Sequence, residues 1–448
     1  LRKMQHADGG WGWWSQDSSS VYTTAYVLEG LREAQAAGVA VPSDMIARGR
    51  SALMSMIPGH LSYYREHEWV SDEDAHFAYV MSGFGDKNEA LNRYLVERRE
   101  KLSVYGKSLA ALAFKALHEE ASAKLLFDNA SQRLQEDPEN ETAWVETRAQ
   151  GWWWWWNDEI ESNAMYLRAV VAMNPADPRA PKLVKWLLNH RRNGWYWRST
   201  RDTAMTISAF AAYLAASKES DPDYELEVML DGKTLKKVHV DKRSLFGSAN
   251  EIVLRGAEVT SGKHQIRFRR TGKGAVYFNA YLSTFTLEEG ISPAGLELKV
   301  ERKYWKLERS DRTHTISDQR GQEASMKEAA YRKVPLEEGA ELVSGDLVLV
   351  ELFLESKNDY AQLAFEDPRP AGMEPVALRS GMTYGEAVAN LEIRDDKVVF
   401  FLSQLNQGKL KLEYRLRAEI PGQFHSLPTR GFAMYAPELK ANGAEARF

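Results

Sequence analysis

The sequence predicts a multidomain α plus β protein, with a helical part first and antiparallel β domains after it. Its 448 residues exceed one ordinary domain and are enough for about two to four. Up to about residue 218 the apolar residues recur at helical spacing, and beyond it they alternate as in half-buried strands. Three similar segments in the helical part indicate repeated helix hairpins. Such repeats form a helical array or close into an α/α toroid.

Each of the three repeats runs from a glycine–tryptophan turn through polar residues into a helix. They cover residues 8–34, 151–173 and 193–217. Ser, Asp, Asn and Thr crowd each predicted helix start, where such residues act as N-caps. Two further segments, 106–134 and 179–191, are also predicted to be helical. In the third repeat the apolar residues form a stripe on one helix face: Ala204, Ile207, Phe210, Ala211 and Leu214.

The second repeat contains five consecutive tryptophans, Trp152–Trp156. Because tryptophan is large and rarely buried completely, five neighbours cannot all point into one core. We interpret them as a seam between helix hairpins, with alternate rings facing the ring interior and its outer rim.

Beyond residue 218 the apolar residues follow the two-residue period of β-strands. Residues 224–233 place Leu226, Val228 and Leu230 on one side, and residues 345–356 and 396–405 are more apolar strands. The clearest strand is 409–420, which alternates between two faces. We expect Leu410, Leu412, Tyr414, Leu416 and Ala418 to face inward, and Lys411, Glu413, Arg415, Arg417 and Glu419 to face outward.

The turn signals and the change of period give the predicted boundaries. The stretches LDGK (230–233) and NQGK (406–409) are typical of turns between strands, and 287–295 resembles a linker. The predicted domains are therefore a helical domain over 1–218, a small β domain over 219–291 and a β-sandwich over 292–448.

The composition excludes several classes of function. The net charge of −5 is mild and argues against nucleic acid as a partner. The absence of cysteine excludes disulfides, thiol nucleophiles and cysteine-ligated zinc within this chain. No metal or cofactor is predicted, because the spacing of His60, His67 and His76 fits no tight pair of ligands and favours solvated or packed side chains.

Several motifs resemble the C-terminal part of bacterial alpha-2-macroglobulins. They are MQHADGGWGWW (4–14), RSTRDTA (198–204) and, most specifically, the stretches 334–350, 360–376 and 400–439. The resemblance covers nearly the whole chain. It implies a terpenoid-cyclase-like α/α toroid over 1–218 without its N-terminal part, the C-terminal half of a CUB-like β domain over 219–291, and a terminal macroglobulin (receptor-binding-like) sandwich over 292–448.

The resemblance also implies a function, that of a protease inhibitor rather than an enzyme. A protease cuts a bait region, the molecule closes around it, and a lysine amine of the protease attacks an internal Cys–Gln thioester. Because this chain has no cysteine, either the Cys-x-Glu-Gln motif precedes Leu1 in the parent protein, or the protein belongs to a subfamily that has lost the motif. In the second case the chain is a module of a thioester-less interaction or scaffold protein.

The partners and location come from the same resemblance. The expected partners are target proteases, the N-terminal macroglobulin domains of the same polypeptide and the peptidoglycan-synthesis machinery. The expected location is the periplasm or cell envelope, with a membrane tether in the missing N-terminal part.

Site residues follow from the family's need to keep the thioester dry. The stretch GFAMYAPE (431–438) matches the covering loop, with Met434 and Tyr435 as the lid. The alternative is that both side chains only pack in their own sandwich. Trp11, Trp13 and Trp14 are candidate aromatics of the thioester pocket. Residues 13–17 contain no histidine and His6 precedes them, which predicts direct attack by amines rather than histidine-assisted attack on hydroxyls.

Toroid enzymes that act on terpenoids or carbohydrates are the rival class. A terpene cyclase needs an Asp-x-Asp-Asp acid, but SDEDAHF (71–77) has Asp72 and Asp74 with Ala75 in the last acidic position. A carbohydrate enzyme would use Asp158, Glu159 and Glu161 after the tryptophans. Acidic residues at a helix start more often act as caps and as partners of the helix dipole.

Overall fold

The computed structural model describes the chain except residues 68, 148–157, 192–195, 245–246, 248–250, 279, 281, 283–289, 318–322, 329, 338, 378 and 385–387. The proposed five-tryptophan seam, 152–156, therefore lies outside the described residues. The chain forms two compact units, Leu1–Leu188 with Ser199–Leu282, and Asn189–Arg198 with Ser283–Phe448. None of the described helices is long and apolar enough to cross a membrane. The division into three domains stays a prediction.

The described residues contain nine α-helices, all in the first unit except for the last residue of α8, Asn189, which belongs to the second. Helices α1, α3, α5, α7 and α9 form a row in which each packs against the next, and α2, α4 and α6 pack beside α1, α3 and α5. The bounds are α1 Val21–Ala36, α2 Ser43–Glu66, α3 Asp72–Ser82, α4 Glu89–Glu97, α5 Val104–Ala116, α6 Glu120–Ser131, α7 Glu159–Met173, α8 Arg179–Asn189 and α9 Thr200–Ser217.

The helix starts confirm the predicted caps. The side chains of Ser20, Asp158 and Ser199 accept hydrogen bonds from backbone N–H groups in the first turns of α1, α7 and α9. Each bond satisfies a donor that has no partner inside the helix. The predicted helix over 106–134 is wrong in one respect, because it is two helices. His118 has a left-handed backbone (φ 60°) that separates α5 from α6.

Helix α9 forms as predicted, but the apolar stripe is not its buried face. Ile207 and Leu214 are 57% and 40% exposed. The buried residues are instead Asp202, Thr206, Ala209 and Tyr213. At the start of the helix the buried face is polar, since Asp202 is buried there and the preceding Arg201 forms an ion pair of 2.7 Å with the buried Glu161 of α7.

The described residues also contain twenty strands. In the first unit β1 pairs with β2, and β4, β3 and β5 form a sheet in that order. The LDGK turn joins β3 to β4, and Asp231 and Gly232 have the positive φ values that a tight hairpin requires. The strands of this unit are β1 Leu134–Asp137, β2 Thr142–Val145, β3 Asp223–Leu230, β4 Lys233–Asp241 and β5 Ile266–Lys273.

The second unit has two main antiparallel sheets, β12-β16-β10-β6-β9 and β13-β14-β15-β11-β18-β19, and two small ones, β7-β8 and β17-β20. The strands are β6 Leu298–Arg309, β7 Arg312–Ser317, β8 Glu323–Glu328, β9 Tyr331–Pro335, β10 Leu347–Ser356, β11 Tyr360–Pro368, β12 Met373–Pro375, β13 Gly381–Tyr384, β14 Val388–Ile393, β15 Lys397–Leu405, β16 Gly408–Ala418, β17 His425–Ser426, β18 Arg430–Ala433, β19 Ala436–Asn442 and β20 Ala446–Arg447.

Inward side chains of both main sheets share one core, so this unit is a β-sandwich. The predicted alternation of β16 is confirmed, since Leu412, Tyr414 and Leu416 are buried while the residues between them are exposed. The NQGK turn has a different role from a hairpin. It carries the chain from β15 in one sheet to β16 in the other.

A buried ion pair ties β11 to the opposite sheet. Arg302 donates from Nη1 to Oδ1 of Asp367 at 2.6 Å, and their side chains are 2% and 0% exposed. The hydroxyls of Tyr414 and Thr429 donate to the same carboxylate at 2.7 and 2.8 Å. Because both carboxylate oxygens are hydrogen-bonded, the charge is tolerated in the core. Strand β11 is thus firmly anchored at its C-terminal end.

Candidate functional site

The glycine–tryptophan turn before α1 is closed by the carboxylate of Asp17. Its Oδ2 accepts the backbone N–H groups of Trp13 at 2.8 Å and Trp14 at 3.1 Å. Gly12 leaves room for this carboxylate, because a Cβ at that position would lie 1.9 Å from Oδ1. The two indole rings project outward and are 64% and 75% exposed. We call residues 12–17 the tryptophan turn.

His6 and Asp8 brace the tryptophan turn from the residues before it. The His6 ring places Nδ1 2.9 Å from the hydroxyl of Ser19 and Nε2 3.1 Å from the carbonyl of Trp14. Ser19 in turn donates to Asp8 at 2.8 Å. The N–H of Gly10 and the hydroxyl of Ser19 lower the pKa of Asp8, against a smaller effect of burial. His6, placed before the turn by the sequence, therefore contacts it in space.

Trp11 differs from its two neighbours because it is buried, at 1% exposed. Its indole N–H donates to the carbonyl of Leu1 at 3.1 Å, and its backbone N–H donates to Thr24 at 3.0 Å. A Cβ on Gly49 of α2 would lie 2.6 Å from the indole ring. Trp11 therefore packs tightly between α1 and α2, whereas Trp13 and Trp14 lie at the surface.

In the second unit, Met434 and Tyr435 form the two-residue turn between β18 and β19. They are 47% and 68% exposed, so they project from the sandwich instead of filling its core. Neither has the positive φ that matches a two-residue turn to the strand twist, and the pairing of β18 with β19 shifts register beside the turn. The N–H of Met434 donates to the carbonyl of Gln362 at 2.9 Å. We call Met434–Tyr435 the lid turn.

A polar network holds the chain where β11 begins, close in sequence to Gln362. Glu297 accepts hydrogen bonds from Asn358 at 2.8 Å, Tyr360 at 3.0 Å and Asn189 at 2.9 Å. Burial, with the nearby Glu297 carboxylate, raises the pKa of Tyr360. The tyrosine therefore stays a neutral donor and fixes the start of β11.

The carboxylates considered for enzymatic chemistry have structural partners. Asp72 accepts hydrogen bonds from the backbone N–H and the hydroxyl of Ser103 at 3.0 and 2.5 Å. Asp158 caps α7, and Glu159 lies in its first turn. Glu161 is buried in the ion pair with α9 described above. These roles are those expected of acidic residues at helix starts and in the interior.

Two of the three histidines considered as ligands are paired with single carboxylates. His60 lies 2.8 Å from Asp74, and His76 lies 2.8 Å from Glu29. Burial opposes ionisation of Glu29, but the hydrogen bond and charge of His76 bring its pKa below the usual value. His67 is exposed, as the solvated alternative expected. Within the described part of the chain, no group of three or more His, Cys, Asp or Glu side chains is placed to hold a metal ion.

The sequence reasoning missed two residues that shape the candidate surfaces. Asp17 gives a general signal only, because aspartate is common in turns and its carboxylate can accept backbone N–H groups. Gln362 gives no signal in the sequence, since only its backbone carbonyl contacts the lid turn.

Comparison with known proteins identifies relatives of the sandwich and of the chain. Residues 298–438, which include the lid turn, match the family model of the bacterial alpha-2-macroglobulin MG10 domain. The alpha-2-macroglobulin of Thermotoga maritima is 25% identical over 248 residues, which cover 55% of this chain and 13% of that protein. The alpha-2-macroglobulin of Xylella fastidiosa is 22% identical over 479 residues, which cover 100% of this chain and 26% of that protein.

A solved structure, trypsin-activated alpha-2-macroglobulin from Escherichia coli, is similar with a TM-score of 0.49 and 18% identity, covering 98% of this chain and 28% of that one. This chain spans about a quarter of the length of the Xylella relative. The helices followed by antiparallel sheets confirm the predicted α plus β order. Residues 298–438 thus match the bacterial alpha-2-macroglobulin MG10 domain, and the chain as a whole is similar to bacterial alpha-2-macroglobulins.

Proposed function

We propose that this chain is the C-terminal part of a protease-trapping inhibitor and that its lid turn shields the thioester of the parent protein. The observation that carries the proposal is the exposure of Met434 and Tyr435 on a turn within the matched MG10 domain. Exposed apolar surface marks an interaction site when it forms a patch, and we propose that these two adjacent side chains form part of one. Methionine adapts its shape and tyrosine is broad, which suits a removable cover.

The shielded chemistry is acyl transfer to an amine. A lysine of the protease that has cut the bait region attacks the acyl carbon of the thioester, a C–N bond forms, and the C–S bond breaks. The thiolate leaves, and the proton released by the amine passes to it or to solvent. The lid slows the competing attack by water until bait cleavage displaces it. His6 is engaged by Ser19 and the carbonyl of Trp14, which supports direct attack by amines over histidine assistance.

The finer architecture is part of the proposal. The row α1, α3, α5, α7 and α9 supports an α/α toroid that is completed by residues before Leu1. The three-stranded sheet of β3, β4 and β5 supports the second half of a CUB-like domain. We place Trp13 and Trp14 on the wall of the thioester pocket, whereas the burial of Trp11 supports a packing role. The partners are target proteases and the N-terminal macroglobulin domains, and the location is the periplasm.

The test uses the full-length parent protein and its reaction with methylamine, followed by thiol release. We expect Tyr435→Ala to accelerate thiol release, because the apolar cover is smaller. Val343→Ala is the matched control, since Val343 is also exposed, at 70%, on another loop of the sandwich. Equal rates for Tyr435→Ala and the unchanged protein would remove the lid from the proposal.

The same experiment on the full-length parent protein also tests the scaffold alternative. The lack of cysteine in these 448 residues is compatible with this alternative and with a thioester elsewhere in the parent protein. If the parent releases no thiol and retains no protease after cleavage, the chain serves as a binding module, with the peptidoglycan-synthesis machinery as the expected partner. Retention of a protease through a bond stable to denaturation would exclude this alternative.

A further inference from the structure

We propose that Gln362 is a positioning residue for the lid turn and that its left-handed backbone sets the direction in which Met434 and Tyr435 project. The claim that Gln362 positions the lid turn concerns this chain alone. The effect of that position on thioester shielding rests on the proposed function.

The first observation is the backbone of Gln362 itself. Its φ is +57°, inside a β-strand and without the freedom that glycine has in this region. L-residues with a side chain disfavour this conformation, because Cβ approaches a backbone oxygen. A residue held in it persists only when its surroundings require it, and such positions concentrate where structure serves function.

The second observation is a break in the pairing of β11 with β15. Ala361 pairs with Gln404 and Leu363 pairs with Leu402, but Gln362 lies between them outside the pairing. Tyr360 and the next buried residue of β11, Leu363, are three positions apart, whereas residues on one face of a regular strand are two apart. Since side chains of a strand alternate strictly, this step requires the backbone to turn over at 361–362. The left-handed residue supplies that turn.

The third observation connects the break to the lid. The carbonyl of Gln362 accepts the N–H of Met434 at 2.9 Å, next to the regular pair of Leu363 and Ala433. Met434 is the first residue of the lid turn, so this hydrogen bond fixes where the turn leaves β18. Tyr360, on the other side of Gln362, is held by Glu297 at 3.0 Å. Gln362 therefore lies between a fixed strand start and the lid turn.

The test compares three substitutions in this chain by methionine-methyl NMR and by exchange of the Met434 amide. Gln362→Gly keeps the left-handed conformation at no steric cost. Gln362→Val disfavours it, because β-branched residues are rare there. Ser403→Val is the matched control, since it places the same side chain on β15 opposite Gln362, between the two regular pairs.

We expect Gln362→Val to shift the Met434 methyl signal and to accelerate exchange of its amide about tenfold. Gln362→Gly and Ser403→Val should leave both unchanged, and the glycine variant is the rescue that distinguishes backbone conformation from loss of the glutamine side chain. Unchanged Met434 signals in Gln362→Val would overturn the proposal. If that variant does not fold, Gln362→Thr, which is also β-branched, replaces it with the same expected direction.

The full-length protein separates this inference from the proposed function. If Gln362→Val moves the Met434 signals and also accelerates thiol release with methylamine, both stand. If it moves the signals but leaves thiol release unchanged, Gln362 positions the turn and the shielding role of the lid is wrong.

Discussion

The tryptophan turn and the lid turn, which both expose aromatic side chains, are held by different means. Side chains stabilise the tryptophan turn: Asp17 binds the N–H groups of Trp13 and Trp14, and His6 contacts the carbonyl of Trp14. The backbone stabilises the lid turn, through the hydrogen bond from the N–H of Met434 to the carbonyl of Gln362. The first arrangement therefore depends on residue identity, and the second depends on strand conformation.

This difference predicts how each turn responds to change. A turn held by side chains is sensitive to substitution of those side chains and, through Asp8 with its lowered pKa, to acid. A turn fixed by a backbone carbonyl is insensitive to both, but it responds to anything that alters the conformation of the strand behind it. Four predictions test this contrast.

The largest effect is expected where the tryptophan turn meets the core. Trp11→Ala should destabilise the helical unit by about 3–5 kcal/mol, because it removes a fully buried indole. Trp14→Ala is the control, and its effect should stay within about 0.5 kcal/mol because the ring is 75% exposed. Chemical denaturation followed by far-UV circular dichroism measures both. Similar losses in the two variants would contradict the assignment of Trp11 as the anchor.

The second prediction concerns the carboxylate that closes the tryptophan turn. Asp17→Ala should cost about 0.5–2 kcal/mol, as does the loss of a capping side chain that accepts backbone N–H groups. The amides of Trp13 and Trp14 should then exchange faster, while the Met434 amide stays unchanged. Asp17→Asn retains an acceptor oxygen and should preserve most of the protection. Equal exchange in the alanine variant and the unchanged protein would show that Asp17 does not hold the turn.

The third prediction is a difference in pH response. The pKa of Asp8 is lowered in the folded protein, chiefly by the N–H of Gly10. Its contribution to stability is therefore complete above the ordinary value of about 3.8 and is lost as the pH falls through the lower folded value. The Gly10 amide signal should move over that range, and Asp8→Asn should abolish the movement. The Met434 amide signal should not move over the same pH range. If it moves together with the Gly10 signal, the two turns do not differ in their response to pH.

The same contrast explains what the sequence predicted. Helix caps such as Ser20, the hairpin at Asp231–Gly232 and the alternation of β16 are local patterns, and all three are confirmed. The lid turn was found by resemblance, and its exposure agrees with an outward projection. Its function and that of the tryptophan turn stay predictions.

Non-local features were out of reach for the sequence. The buried face of α9 faces the helix with which it packs and includes polar residues such as Asp202, so the apolar stripe with Ile207 was a poor guide. The role of the NQGK turn depends on which sheet each strand joins. The conformation of Gln362 is imposed by neighbouring strands, because nothing in its side chain favours a left-handed backbone.

The smallest effect is expected at the lid turn itself. Tyr435→Ala should change the free energy of unfolding of this chain by less than about 0.5 kcal/mol, because the ring is 68% exposed and the turn is fixed through Gln362. Leu427→Ala, at a residue 55% exposed in the same sandwich, provides the comparison. A change this small would mean that the Tyr435 side chain adds little to the stability of its own sandwich, while the backbone fixes the position of the turn. The side chain would then be available to contact another surface. A loss above about 1 kcal/mol would instead mean that Tyr435 packs in its own sandwich.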